Sequence, residues 1–352
     1  MGLGECNIIP DYTKSIREVL TEFAYVGLQD DLNRVIELSR WVDREAQPDH
    51  PDPELPSWVP PLSARSGRHT VSSTSPQFNA SELRYMDGKT WPRNWVRPWA
   101  NGDILHVQGL LCEQVSRVGD VISYSNIFSM VSQYVQEQEF DVSYITRIPR
   151  FQAILRVLIQ DEDFESQQPL IPGDGALQRH AWAFLSWLLL EQDETDQEQD
   201  KIDKEQDEIN KEQFLHKLGL HGLLDDEYRD ALFQAQILGD AKDGENMVEG
   251  LSIDEALDPT QELWMPMQAK MSSNKEHRLF QTEDGYLGIG PRTMRPGDSI
   301  SVLFGCRNPV VLRATGSYHH NIGPCFILGL MEGEAIRDMV NGSKVAREFQ
   351  IC

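Results

Sequence analysis

The sequence is poor in cysteine, and the five it has (Cys6, Cys112, Cys306, Cys325 and Cys352) are scattered, with no C-x-x-C pair. That spacing excludes a disulfide framework and a zinc cluster of close-set ligands, so free thiols in a reducing, cytoplasmic compartment are expected. Long apolar runs are also missing: nothing approaches the ~20 residues of a membrane span. The start, MGLGECNIIPDY, lacks the basic-then-apolar pattern of a secretory signal. Positive charge is scarce, with 32 Lys and Arg against 56 Asp and Glu, for a net charge of −24. Such a field repels phosphate backbones and anionic headgroups, which removes nucleic acid and membrane as expected partners. There is no H-E-x-x-H, no G-x-S-x-G and no glycine-rich loop ending in Lys-Ser/Thr. No metal and no cofactor is therefore expected.

Four weaker patterns read as structure rather than chemistry. Gly288-x-Gly290 is followed by Pro291 and has no third glycine opening a helix, so it reads as a turn between strands and not a dinucleotide fingerprint. Asp225-Asp226-x-x-x-Asp230 follows LHGLL and suits a helix N-terminus better than a metal site. His319-His320 on a strand would point to opposite faces and could not chelate one ion together. His180, beside Trp182 on an apolar helix, reads as a satisfied core or edge histidine rather than a general base.

The chain reads as α+β: a mainly helical body over 1–275 and a small β-barrel-like C-terminal unit over 278–352. The first helix would be capped by Asp11 or Thr13 and bury Ile16, Val19, Leu20 and Phe23. The second places Leu32, Val35, Ile36 and Ser39 on its buried side. Residues 47–101 form a Pro/Trp-rich loop region, in which 47–63 must be extended and Leu55, Trp58 and Val59 need cover. Trp91, Trp95 and Trp99 are expected to pack loops onto the core. A strand pattern starts at Asp103, and Ile154, Leu155, Leu158 and Ile159 give a later helix its apolar face. Residues 177–190 form a strongly apolar helix, 191–213 an acidic low-complexity tract without core-forming residues, and 214–239 an amphipathic helix. Asp284-Gly285 between alternating arms predicts a hairpin. DSISVLFG, PVVLR and CFILGL supply further strands, and MEGEAIRDMV a closing helix.

Several segments carry a resemblance. Pro10 to Ser15 with Glu18, Val19 and Phe23 is similar to the PDYSKS…EVYTDFA segment of fungal heterokaryon-incompatibility (HET) proteins. Leu55-Pro56-Ser57-Trp58-Val59-Pro60 resembles their LPSWVPDW, Phe78-Asn79-Ala80-Ser81 their FNAS, and Phe151 to Asp161 their central helix. The best match is C-terminal: Gly285 to Pro291, Pro296-Gly297-Asp298, Phe304-Gly305, Pro309 to Arg313, and Gly329 to Ala335, in the family's order. The resemblance covers the region that follows the HET domain, and only MGLGE echoes that domain's end.

Two functions compete. The first is a cofactor-independent, redox-neutral cyclase or isomerase of fungal secondary metabolism, by analogy with truncated HET-like cyclases that perform an intramolecular Diels–Alder reaction. Such chemistry needs a shaped apolar cavity and one or two hydrogen-bond donors. Its small apolar substrate would lie between the helical body and the β unit. Arg313, Tyr318, His319 and Tyr286 would polarise or orient it, with Trp58 and Trp264 as walls. Arg313 has a structural reading as well, a salt bridge at the barrel rim. The second function is a non-enzymatic allorecognition or regulatory role that binds a protein partner.

Overall fold

In this computed structural model, the structure describes residues 12–30, 32–39, 55–60, 79–81, 98–123, 150–164, 265–275 and 277–352. It adds single or paired residues at 126–127, 130–131, 134, 170, 179–180, 183–184 and 263. The apolar helix over 177–190, apart from the pairs just given, the acidic tract 191–213, the amphipathic stretch 214–239, Asp225, Asp226 and Asp230, and Trp91, Trp95 and Trp264 lie outside the described residues. The chain divides into two compact units, one of Met1–Val121 with Glu276–Cys352 and one of Ile122–Lys275.

In the first unit, helix α1 (Ile16–Asp30) starts from Ser15, not from Asp11 or Thr13. The Ser15 N–H donates to the Glu18 carboxylate at 2.8 Å and the Glu18 N–H to Ser15 Oγ at 3.3 Å, a reciprocal capping box. Its buried residues are Leu20, Ala24 and Leu28, whereas Ile16 and Val19, expected inside, are exposed. Helix α2 (Leu32–Leu38) buries Leu32, Val35 and Ile36 as its spacing predicts, and Ser39 beyond it is buried too.

The strands are β1 (Trp99–Asn101), β2 (Ile104–Val121), β3 (His277–Thr282), β4 (Leu287–Pro291), β5 (Ser299–Leu303), β6 (Val310–Thr315), β7 (Tyr318–Pro324), β8 (Phe326–Ile327) and β9 (Arg347–Ile351). They make one nine-stranded mixed sheet. The long strand β2 is its hub: Leu105–Gly109 pair with β9, Gly109–Gln114 with β5, and Val115–Val121 with β3. Pairings β5–β6, β6–β7 and the parallel β7–β9 then return the ladder to β2, closing a ring of β2, β5, β6, β7 and β9. The β7–β9 seam that closes the ring is one parallel pair, His319 with Ile351, with the Cys352 N–H donating to the His319 carbonyl at 2.9 Å. Strands β3, β4 and β8 extend the sheet from the far end of β2.

A mainly helical chain with a small C-terminal barrel is thus overturned. Helix and strand are about equally represented among the described residues, and β2, inside the stretch expected to be helical body, is the longest strand of the sheet. The barrel is built from sequence-distant pieces because β2 and β9 are ladder partners that no local pattern announces. The MEGEAIRDMV segment does form helix α4 (Glu334–Val340), but the chain continues through β9 into the ring instead of ending there.

The hairpin at Asp284-Gly285 is present, with Gly285 at φ 91°, where a side chain would be strained. Gly288 and Gly290 lie inside β4, not in a turn. A Cβ on Gly288 would sit 2.5 Å from the Phe326 carbonyl oxygen, so the glycine permits the close approach of β8. One core cluster joins Leu20, Ala24 and Leu28 of α1, the α2 face, Leu55, Trp58 and Val59 to ring residues Leu105, Val107, Leu303, Leu312, Phe349 and Ile351.

In the second unit, helix α3 (Arg150–Leu158) buries Ile154, Leu155 and Leu158, with Ile159 just after it. It stops at Gln160 and Asp161, both left-handed at φ 55° and 54°. Arg156 Nη2 holds Asp161 at 2.7 Å and the Leu170 carbonyl at 3.0 Å, and Asn274 Nδ2 donates to the Leu158 carbonyl at 2.6 Å. Buried His180 accepts the Phe164 N–H on Nε2 at 3.1 Å, so it is a satisfied core histidine. Among the described residues no helix is long and apolar enough to cross a membrane.

Candidate functional site

Arg313, on β6, turns its guanidinium fork onto Asp298, with Nε to Oδ1 at 2.8 Å and Nη2 to Oδ2 at 2.9 Å. Nη2 also donates to the Thr293 carbonyl at 2.7 Å. Asp298 is buried, and its carboxylate further accepts the Arg295 N–H at 2.7 Å. The two-pronged geometry suits a planar guanidinium facing a carboxylate, and a lysine could not reproduce it. The pair fastens the Pro296-Gly297-Asp298 turn, which is also laddered to β2 through Gly297 N to Val115 O and Val115 N to Asp298 O, each at 2.8 Å.

Tyr286 ends the β3–β4 turn, where its N–H donates to Thr282 Oγ1 at 3.0 Å. Burial pushes its phenol pKa up, and carboxylates at Glu113, Asp338, Asp284 and Glu334 push it further. Glu113 sits at a bulge in β2 and is only 8% exposed. Burial and neighbouring Asp284 raise its carboxyl pKa, while bonds to the Thr282 side chain and Asp284 main chain and the charge of Lys344 oppose that rise. Lys344 Nζ donates to the Cys112 carbonyl at 3.0 Å. Glu113 and Lys344 carried no signal in the sequence: Glu113 reads as an ordinary outward strand residue until the hairpin covers it.

Tyr318 is 36% exposed at the start of β7. The His319 ring stands edge-on to Phe349, with centroids 5.5 Å apart, and its Nδ1 has no hydrogen-bond partner. Burial lowers its pKa, helped by Arg347 and opposed by a main-chain bond at Gln350. Trp58 is fully buried in the core cluster and donates Nε1–H to the Asp103 carbonyl at 2.9 Å. Register places Tyr318 and His319 opposite Thr315 and Ala314, just beyond Arg313 on β6, while Tyr286 belongs to a different hairpin. No hydrogen bond among the described residues joins any two of these four donors. No group of three or more His, Cys, Asp or Glu among the described residues is placed to hold a metal.

Two of the segments that carried the resemblance, Leu55 to Pro60 and Asn79 to Ser81, brace the first unit. Ser57 bonds the main chain of Cys352 and Asn321. Asn79 N–H donates to the Met331 carbonyl at 3.0 Å, and Ala80 N–H to the Arg307 carbonyl at 2.8 Å. On the outer side, Trp99 stacks on His106 at 3.7 Å with 7° between planes, and His106 Nδ1 lies 3.0 Å from the Glu348 carboxylate. Trp99 is 48% exposed, so it stands on the surface rather than packing a loop inward. Helix α1 presents a second, uncovered apolar stripe, with Ile16 71% and Val19 42% exposed.

The Leu55–Pro60 segment, expected to be extended, turns instead, with the Val59 N–H donating to the Pro56 carbonyl at 3.0 Å. A closed barrel braced by N-terminal helices and a tryptophan-bearing turn is a recognisable class of fold, and sequence comparison agrees with it. Residues 103–341 match the Het-6 beta-barrel domain, and the chain belongs to that family. A stretch of 61 residues is 38% identical to the heterokaryon incompatibility protein 6, OR allele, of Neurospora crassa, covering 16% of this chain and 9% of that relative. No solved structure matches.

Proposed function

We propose that this protein serves in a heterokaryon-incompatibility type of recognition, as a body that binds a protein partner. The observation that carries the proposal is the family match over 103–341, which spans β2 through α4. The relative named for heterokaryon incompatibility points the same way. The geometry agrees with binding: exposed aromatic and apolar side chains at Trp99, Ile16 and Val19 are the groups interfaces use. It favours the redox-neutral cyclisation less, because the Arg313 fork is occupied by Asp298 and Trp58 is sealed in the core. The test is genetic. The chain is expressed in Neurospora crassa strains and heterokaryon growth is scored for each pairing. Impaired growth in some pairings and not others is expected. Uniform growth in every pairing, with the chain expressed, would overturn the reading.

A further inference from the structure

The ring of β2, β5, β6, β7 and β9 is held by continuous ladders everywhere but at one seam. Strand β9 pairs with Leu105–Gly109 of β2, and β7 pairs with β6 over Val310–Thr315, whereas β7 and β9 meet at His319 and Ile351 alone. One hydrogen bond reinforces that pair, from the Cys352 N–H to the His319 carbonyl at 2.9 Å. Ser57 bridges the seam from the Leu55–Pro60 turn, its hydroxyl bonded to the Cys352 carbonyl and to the Asn321 N–H. The seam can therefore part and re-form while both strands stay held by their other neighbours.

The side chain at this seam is titratable and badly placed to carry charge. The His319 ring stands edge-on to Phe349, with its Nδ1 buried and without a hydrogen-bond partner. Arg347 holds its guanidinium over the same phenyl ring, the central carbon 4.7 Å from the centroid. Among the described residues, the groups around His319 offer no counter-charge. On β6 it faces Ala314, and Arg313 next to it is engaged with Asp298. On β9 it meets Ile351, Gln350 and Arg347, while Glu348 is turned to His106. Tyr318 and His320 alternate to the opposite face of β7. Burial pushes the Cys352 thiol up, so it brings no negative charge either. A proton on His319 would thus set a second positive charge beside Arg347 where water reaches poorly, and both effects lower its pKa. We infer that the β7–β9 seam is an acid-opened joint: protonation of His319 parts the His319–Ile351 pair and frees the Cys352 N–H while the rest of the ring stays laddered. The open seam returns the imidazole to water and binds the proton more tightly than the closed one. Closure is therefore complete above the ordinary imidazole value and is lost as pH falls through the lowered one.

The test is hydrogen exchange of the full chain, resolved by residue and expressed as protection, so that the intrinsic effect of pH on exchange drops out. From neutral to mildly acidic pH, protection of the Cys352 N–H should fall severalfold, since each pH unit between the two pKa values shifts the opening equilibrium about tenfold. Ladder amides of β2, β5 and β6 should keep theirs. His319→Gln, which cannot take the charge, should make Cys352 protection flat with pH. Arg347→Gln should shrink the acid response, because it removes the like charge that faces the imidazolium. A histidine with a merely structural role would not register that change. Cys352 protection that stays flat in the parent, or an acid response that survives His319→Gln, overturns the inference. So does an equal loss across β2, β5 and β6, which is global unfolding. Should His319→Gln fail to fold, Arg347→Gln decides alone, and an undiminished acid response there overturns the joint.

Discussion

Ser57 holds the main-chain oxygen of Cys352, 295 residues away, with both its N–H, at 3.0 Å, and its hydroxyl. The same hydroxyl oxygen accepts the buried Asn321 N–H at 2.8 Å. One side chain thus ties the Leu55–Pro60 turn to β7 and to the residue that follows β9. Ser57→Ala would leave the Asn321 donor buried and unpaired, and a loss of about 1–3 kcal/mol in chemical denaturation is expected. An unchanged denaturation midpoint would show that the Ser57 hydroxyl adds nothing to the hold of the Ser57 N–H and of Trp58.

Removing Arg313 strands a buried carboxylate. Asp298 would lose both prongs of the guanidinium fork, and stripping one partner from a buried pair typically costs about 3–5 kcal/mol. Because Arg313 is 22% exposed at its side chain, the lower end or less is expected, with solvent screening the charge. Arg313→Lys should recover only part of the loss, since one ammonium cannot serve both carboxylate oxygens and the Thr293 carbonyl. A double-mutant cycle with Asp298→Asn measures the coupling. Additive effects would mean that the pair is ornamental.

Glu113 predicts a pH dependence. Its carboxyl pKa is raised in the fold, so the folded chain binds this proton more tightly than the unfolded chain does. Its contribution to stability is therefore greatest at acidic pH and declines as pH rises from the ordinary carboxylate range through the raised value. Glu113→Gln should keep the bonding pattern, remove that decline and stabilise the protein at neutral pH. A parent and variant whose stability difference stays flat with pH would refute this.

His319 titrates in the opposite sense. Its pKa is lowered by burial, so below the ordinary imidazole value the unfolded chain takes up the proton first. Stability should fall as pH drops through that region, and His319→Gln should blunt the fall. Melts between neutral and mildly acidic pH, compared with the parent, decide it; parallel curves would place the sensitivity elsewhere.

Much of the local structure was readable from residues alone. The Asp284-Gly285 turn formed because its alternating arms and left-handed glycine needed nothing from afar. Helix α2 buried Leu32, Val35, Ile36 and Ser39 because their spacing left only one apolar face to choose. Trp58 found cover because a ring that size in a proline-rich segment has no other way to leave water. The resemblance, too, was legible before any coordinates, and the family match agrees with it.

Tertiary structure decided the rest. Helix α1 has two apolar stripes, and periodicity cannot say which one the barrel takes; packing took Leu20, Ala24 and Leu28 and left Ile16 and Val19 outside. Strand β9 gives a weak local signal, and its parallel neighbour β7 and antiparallel neighbour β2 are far away in sequence. The Arg313 fork was visible as a candidate donor, yet its commitment to Asp298 appears only when β5 and β6 lie side by side. Glu113 became a buried carboxyl with a raised pKa only when the β3–β4 turn, with Asp284, covered a bulge in β2. The division follows from range: caps, turns and helical faces depend on residues a few positions apart, whereas ring closure and burial of charge depend on ladder partners that loop entropy and packing choose together.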